Sequence, residues 1–470
     1  MNLAKTAESI PSEHEIGQFF TRFVDVDHVE AVFEAVIAPS PLRGIDRVGP
    51  EAFRRDVASH ARVISRKCRD GSYVFTPYLE SLRFKGRNKL PRMLAVATIR
   101  DRIVLHILKE VLHFAFPDAV PRRLPNQYVR EIRDSRLYKD DLAFVKGDIR
   151  SFYDDVDHSM LLDKLQTRLP AEITRLVERA IRNPTVPIRE HARASRRLRP
   201  LATGVPQGLS VSNILAEIFV LDVDAVMAPR VAKYYRYVDD ILMFARMGDE
   251  EVVYGELGST LSPLGLTLSE EKHARGPAEA SFEYLGYRLS LPKVSVKSGN
   301  VRRLVDSIAA HFARYHHEAD ARFRETWLDA DAKKRLLLDE LNEKVTGAVN
   351  ENRRYGWLFY FIEINDLDLL YQLDDIVRNL WKRFVGHPIP PELKKFSRAY
   401  YEARYNQRGG YIHNYNRYDT LSAKLRFLVG RGYLDPKSQA RYKDEQIEQI
   451  FRKVKYRSLA RLEADVGTIS

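Results

Sequence analysis

Residues 233–245 read KYYRYVDDILMFA, and two adjacent carboxylates sit in the middle of an otherwise apolar and aromatic run. β-Branched and aromatic residues on both sides predict two short strands, and Asp239 and Asp240 between them predict a tight hairpin. Two neighbouring aspartates at a hairpin tip repel each other in a partly desolvated place, and a divalent cation relieves that repulsion. The competing reading of any Asp pair is an ordinary turn or helix cap. That plainer reading suits Asp154–Asp155 and Asp374–Asp375. It does not suit 239–240, because a second acid has the same setting upstream. LAFVKGDI (142–149) is a short apolar strand ending on Asp148, at a sheet edge that a cation can reach.

Outward from the hairpin, strands and helices alternate. DHSMLLDKLQTRL (157–169), VSNILAEIFVLDVDAVMA (211–228) and EEVVYGELGSTLSPLG (250–265) carry apolar residues at helical spacing, while LTLSEE (266–271) and FEYLGYRLSL (282–291) read as further strands. This mixture around an antiparallel sheet is an α+β signature. Residues 15–67 and 99–116 read as helical, and 72–90 (SYVFTPYLESLRFKGRNKL) as strand-like and then basic. After Pro292 the pattern turns helical and stays so, with HPIPPE (387–392) as a boundary, because its prolines break helices.

Composition limits the function classes. The chain has 470 residues, with Lys+Arg 76 against Asp+Glu 64, a formal net charge of +12. Such a surface suits a polyanion, since neutralised phosphates release condensed counterions, and it suits plain solubility equally well. One cysteine, Cys68, excludes an internal disulfide and a cysteine-rich zinc site. No apolar run has the length of a membrane span, and the N-terminal stretch lacks the long apolar core of a signal peptide, so a cytoplasmic protein with no membrane partner is expected. The histidines show no metal-ligand spacing.

Several stretches resemble the ordered motifs of reverse transcriptases. FVKGDIRSFYDDVDH (144–158), GVPQGLSVSNILAEI (204–218) and YRYVDDILMFA (235–245) are similar to three successive palm motifs, and LTLSEEKHA (266–274) and FEYLGYRLS (282–290) to the two that follow. RMLAVATIRDRIV (92–104) resembles the fingers motif of the group II intron and retron-like lineage. The resemblance implies a right-hand polymerase with an N-terminal helical segment (1–70), fingers (71–141), palm (142–292), helical thumb (293–390) and a basic, tyrosine-rich helical extension (391–470). It implies Asp148, Asp239 and Asp240 as ligands of two Mg²⁺ ions, helped by the Ile149 carbonyl. Tyr153 falls at the aromatic steric gate that excludes a ribose 2′-hydroxyl, against the alternative of a core tyrosine beside Phe152. Pro206, Gln207 and Gly208 would shape the loop under the nascent base pair. Arg92 would contact the dNTP triphosphate, with Lys85 or Lys89 assisting and Lys272 near the leaving pyrophosphate; for these lysines a solvated surface is the competing reading.

Leu209 and Glu217 depart from the family pattern, where a small residue and Asn are usual. GLSVSNILAEI and the long helical C-terminal part look similar to bacterial anti-phage defence reverse transcriptases of the abortive-infection type. Implied partners are an RNA template, a dedicated non-coding RNA, a DNA primer or product, dNTPs, and a second copy or a defence protein. A mobile-element or retron-like enzyme, a template-independent nucleotidyl transferase and a catalytically silent RNA-binding protein are the alternatives. One feature lies outside these motifs: RAYYEARYNQRGGYIHNYNRY (398–418) interleaves Arg398, Arg404 and Arg408 with tyrosines that include Tyr411. Arginine for phosphates and tyrosine for bases suits single-stranded RNA, and a tyrosine-rich packing interface is the equal competitor.

Overall fold

The computed structural model describes residues 10–83, 91–120, 123–187, 201–318, 328–407, 409–435, 437 and 442–467. They divide into two compact units, one made of Met1–Arg122 with Ala143–Gly276 and the other of Arg123–Leu142 with Pro277–Ser470. The class is α+β, as the alternating pattern requires. Thirteen strands are described: β1 (Tyr78–Arg83), β2 (Arg92–Val96), β3 (Leu142–Asp148), β4 (Thr185–Val186), β5 (Lys233–Tyr237), β6 (Asp240–Arg246), β7 (Ala274–Pro277), β8 (Phe282–Tyr284), β9 (Tyr287–Ser290), β10 (Lys293–Val296), β11 (Ala348–Asn350), β12 (Arg353–Tyr355) and β13 (His413–Asn414).

The first unit is organised by the sheet β5-β6-β3-β7. β5 and β6 pair antiparallel in the register Tyr237↔Asp240, so Val238 and Asp239 alone form the turn. A two-residue hairpin turn of this kind needs a positive φ, and Val238 supplies it at +57° although it is β-branched. That strain persists because the strands on either side are locked: Ile241, Leu242, Met243 and Phe244 are all fully buried. Ile241 and Met243 share one apolar cluster with Val145 of β3 and with Leu215, Ile218 and Phe219 of the helix Ser212–Phe219. Helices Ile99–Ala115, His158–Gln166, Ala171–Ile181 and Glu250–Leu261 add to the same core. Their ends follow local chemistry. Thr98 caps the first of these by accepting from the Asp101 amide at 3.3 Å, and Asp157 caps the second by accepting from the Met160 amide at 3.0 Å.

A second sheet of this unit, β2-β1-β4, meets the loop that carries Pro206–Gly208. The Ala95 amide donates to the Gln207 carbonyl at 2.7 Å. Gly208 has φ +101°, and a Cβ there would stand 3.2 Å from the Ala95 carbonyl oxygen, so both conformation and space call for glycine.

The second unit is mainly helical, with helices Ser298–His317, Ala330–Thr346, Leu367–Phe384, Phe396–Tyr405, Leu421–Gly430 and Asp444–Val466. Trp357, Phe361, Trp381 and Phe396 are buried at its centre. Two expectations are corrected. The chain is not helical throughout after Pro292, because β10 closes the antiparallel sheet β10-β9-β8 and β11 to β13 form another. LTLSEE is not a strand: Leu268 makes one isolated bridge to Ile149, and Glu270–Lys272 is a turn of 3₁₀ helix. Among the described residues no helix is long and apolar enough to cross a membrane.

Candidate active site

Asp148 is the last residue of β3 and Asp240 the first of β6, and both are buried. The peptide link between them is direct: the Ile149 amide donates to the Asp239 carbonyl at 3.0 Å, which sets the end of β3 beside the hairpin turn. The Ser269 amide donates to the Asp148 carbonyl at 2.8 Å from the other side. Because β3 lies next to β6, Asp148, Asp239 and Asp240 come near enough for their charges to act on one another. Burial, and then the charge of Asp148, push the Asp239 carboxyl above its ordinary range. Burial also raises Asp240, to about 6, against the pull of Lys146. Asp239 Oδ1 is buried and has no hydrogen-bond partner. The site therefore holds more negative charge than its surroundings compensate.

Two lysines answer part of that charge. Lys272 Nζ donates to both oxygens of Asp148, at 2.8 and 2.7 Å. Lys146, two residues before Asp148 on the same face of β3, stands 3.3 Å from Asp240 Oδ1. With the lysines so placed, no three acidic, histidine or cysteine side chains among the described residues converge on one point at ion-holding distance. The donor set still fits a hard divalent cation, being all carboxylate oxygen with one orphaned, buried acceptor in Asp239.

Around the acids stand the other expected residues. Tyr153 is half-buried, its ring against the apolar core, and its hydroxyl donates to Asn213 Oδ1 at 2.8 Å. Its neighbour Phe152 is the one that enters the core, at 3% exposure. Burial and the nearby charge of Asp239 raise the phenol of Tyr153, so it stays a donor at all working pH values. Arg92 opens β2, and its charge acts on both Asp239 and Tyr153. Gln207 reaches Asp154 at 3.4 Å, and the Pro206 carbonyl accepts from Ser212 Oγ at 2.6 Å. Lys85 and Lys89 lie outside the described residues.

Residues 84–289 match the family model described as reverse transcriptase (RNA-dependent DNA polymerase). This stretch is similar to reverse transcriptase domains. The match covers a little under half of the chain. No curated protein matches the chain. Among solved structures, apo telomerase from Candida tropicalis, truncated from its C-terminal domain, aligns at 16% identity over 48% of this chain and 56% of that one, with a TM-score of 0.35. This chain thus spans little more than half of that structure. Telomerase from Candida albicans, in complex with a fragment of telomeric RNA, aligns at 14% identity over 85% of this chain and 68% of that one, with a TM-score of 0.37.

The matched stretch also contains a buried network that sequence reading missed. Arg236 Nη2 lies 2.7 Å from Glu217 and 2.6 Å from Asp224, and Nη1 donates to the Val238 carbonyl at 3.1 Å. The odd glutamate at 217 is thereby explained: it is the counter-charge of an arginine that grips the strained turn of the carboxylate hairpin. The signal was present in the alternation of β5, which puts Arg236 on the face of Tyr234, whose hydroxyl donates to the same Asp224 at 2.8 Å.

In the second unit the basic, tyrosine-rich segment divides. Arg404 is not an unpaired cation, since its Nη2 stands 3.6 Å from the buried carboxylate of Glu363. Arg130 donates to the same carboxylate at 2.9 Å and Arg133 at 3.2 Å. Arg398 pairs with Glu402 at 3.3 Å and lies 4.5 Å above the ring of Tyr411. The Tyr411 hydroxyl accepts from the Lys395 amide at 2.9 Å. Arg408 lies outside the described residues.

Proposed function

We propose that this polymerase copies RNA into DNA with Asp148, Asp239 and Asp240 as the ligands of two Mg²⁺ ions and the Ile149 carbonyl as a further oxygen donor. The observation that supports the reading is the junction of β3 with the hairpin turn, where the charges of Asp148, Asp239 and Asp240 act on one another and Asp239 Oδ1 is buried without a partner. When bound, such ions would activate the primer 3′-hydroxyl and neutralise charge on the leaving pyrophosphate.

The chain's own residues do the rest. The half-buried ring of Tyr153 would lie under the sugar of the incoming dNTP and exclude a 2′-hydroxyl by bulk. Arg92, with Lys85 and Lys89, would hold the triphosphate. Lys272, freed from Asp148 when the site fills, would stabilise charge on the departing phosphates. Gln207 and its flanking Pro206 and Gly208 would support the template and the nascent pair. We assign 71–141 as fingers, 142–292 as palm, 293–390 as thumb and 391–470 as an extension. In that extension Arg398, Arg408 and Tyr411 are the candidate RNA contacts, with Arg404 serving Glu363 instead.

Primer extension on a defined RNA template tests the core of this reading. Asp239→Ala should abolish Mg²⁺-dependent incorporation while the far-UV CD spectrum stays that of the parent chain. Extension by the Asp239→Ala protein would overturn the ligand assignment. Incorporation without a template would move the activity to terminal transfer, and inactivity of the parent chain would favour a silent RNA-binding protein.

The biological setting we favour is phage defence with a dedicated non-coding RNA, supported by the GLSVSNILAEI variant and the helical C-terminal half. Sequencing the nucleic acid that co-purifies with the chain, together with phage plating on cells carrying the parent or the Asp239→Ala protein, tests it. Equal plating on both would remove the defence role.

A further inference from the structure

The second unit contains a cavity of about 660 Å³, within the size range of small-ligand sites. Its walls come from the helices Ala330–Thr346, Phe396–Tyr405 and Leu421–Gly430 and from the segment that includes Tyr411 and His413. Three features separate it from an ordinary crevice. The first is charge. Setting aside the ion pair of Arg431 with Glu343, the lining carries Lys394, Lys395, Arg398 and Arg426 against Asp339 and Glu392. Burial pushes the ammonium of Lys394 down against the pull of Asp339, and its Nζ donates to the Tyr411 carbonyl.

The second feature is aromatic surface held in place. Tyr411 and Tyr418 both line the cavity. Tyr411 has two cations against its ring, Arg398 at 4.5 Å and Lys394 at 5.2 Å, and its hydroxyl is fixed by the Lys395 amide. A ring restrained in this way offers a flat surface at little entropic cost. The third feature is an unused polar group. His413 lines the same cavity, and its Nε2 is buried without a hydrogen-bond partner. Burial holds this imidazole neutral down to about 4, so it adds hydrogen-bonding capacity and no charge.

We propose that this cavity binds a nucleoside phosphate, with the phosphate on Lys395 and Arg426 and the base among Tyr411, Tyr418 and Asp339. The mixed lining selects this class. A bare polyanion would be repelled by Asp339 and Glu392, and an apolar ligand would strand the cations. A nucleoside phosphate satisfies both signs, because its phosphate meets the lysine and arginine while the N–H donors of a base meet the carboxylate. Guanine, with two adjacent donors on one edge, is the base that a single carboxylate accepts best. The bound species is either a free nucleotide or the terminal nucleotide of an RNA. The site shares Arg398 and Tyr411 with the proposed RNA contacts of residues 398–418 and does not depend on them or on the palm chemistry.

The test is calorimetric titration of the full chain with GDP, ADP and inorganic phosphate, in EDTA and without primer or template, so that metal-dependent nucleotide binding at the palm is silent. One-to-one binding of GDP is expected, tighter than ADP and much tighter than phosphate. Lys395→Gln with Arg426→Gln should weaken GDP at least tenfold, and Asp339→Asn should remove most of the preference for GDP over ADP. Lys395 and Arg426 are exposed, so the double variant keeps the fold, which primer extension on a generic template verifies. Asp239→Ala should bind GDP as the parent does. Competition with a 5′-phosphorylated RNA oligonucleotide and its 5′-hydroxyl twin then assigns the source: displacement by the first alone identifies an RNA terminus, and displacement by neither identifies a free nucleotide. No GDP binding by the parent chain, or undiminished binding by the Lys395→Gln, Arg426→Gln protein, overturns the proposal.

Discussion

Lys272 Nζ bridges the two carboxylate oxygens of Asp148, at 2.7 and 2.8 Å. An ammonium in that position competes with any cation that Asp148 is to hold. Lys272 is about half exposed, so the bridge is screened by water and its strength is modest, about 0.5–1 kcal/mol. Lys272→Met should therefore tighten Mn²⁺ binding about two- to fivefold, read from the free-ion EPR signal without turnover. An unchanged Mn²⁺ titration would show that the ammonium does not compete.

The hydrogen bond from Tyr153 to Asn213 yields a prediction about sugar choice. If the ring excludes a 2′-hydroxyl, its tilt is set by Asn213, and one neutral hydrogen bond is worth about 0.5–1.5 kcal/mol. Tyr153→Ala should largely erase discrimination between dNTPs and rNTPs. Tyr153→Phe and Asn213→Ala should each relax it by up to about tenfold. Combining those two should add nothing further, because both remove the same bond. Single-nucleotide incorporation kinetics with paired dNTP and rNTP measure each value. Full discrimination in Tyr153→Ala would leave Tyr153 as a packing residue.

Arg236 governs the geometry of the carboxylate hairpin through the Val238 carbonyl. Lysine has no planar fork and cannot hold Glu217, Asp224 and that carbonyl at once. Arg236→Lys should lower kcat about tenfold, a transition-state loss of about 1.4 kcal/mol, while KM for dNTP changes little. A fall in Tm accompanies it, since Glu217 loses part of its compensation. A lowered Tm with unchanged kcat would reduce Arg236 to a purely structural role.

Glu363 is 1% exposed and carries Arg130, Arg133 and Arg404. Removing its charge takes the shared buried partner from all three, although Arg133 keeps Asp134 and Arg130 stays more than half exposed. Glu363→Gln should cost about 3–5 kcal/mol in denaturant unfolding, whereas Arg404→Gln should cost about 1 kcal/mol, since two arginines remain. RNA affinity and its salt slope should be unchanged in Arg404→Gln. A flattened slope in that variant would return Arg404 to the RNA-binding set.

These cases mark how far the sequence was legible. The hairpin at 237–240 and the strand ending on Asp148 were readable because their signals are local: alternation, a turn of two residues, and acids where apolar residues belong. The loop at Pro206–Gly208 was reached only through the family resemblance. Arg404 was read as a phosphate contact because its carboxylate partner, Glu363, lies elsewhere in the chain. Glu402, the only acid between 398 and 418, gave no hint of Glu363 or of the arginines that share it. Glu217 was visible as an anomaly, but its meaning needed Arg236, which the fold brings to it. LTLSEE failed as a strand because its alternation is satisfied by one bridge and a 3₁₀ turn that delivers Lys272 to Asp148.

The helix Pro125–Ser135 belongs to the second unit although most of the first unit follows it in the chain. On a ribosome this ordering has a cost in time. Arg130 emerges 233 residues ahead of Glu363, the group that neutralises it. At translation rates of about 5–20 residues per second the helix waits roughly ten to fifty seconds for its partner. During that interval it is a short, charge-balanced amphipathic segment with its apolar side uncovered. Neither unit can be produced by a single cut, and a nascent chain that stalls before residue 363 leaves this segment exposed to chaperones and proteases.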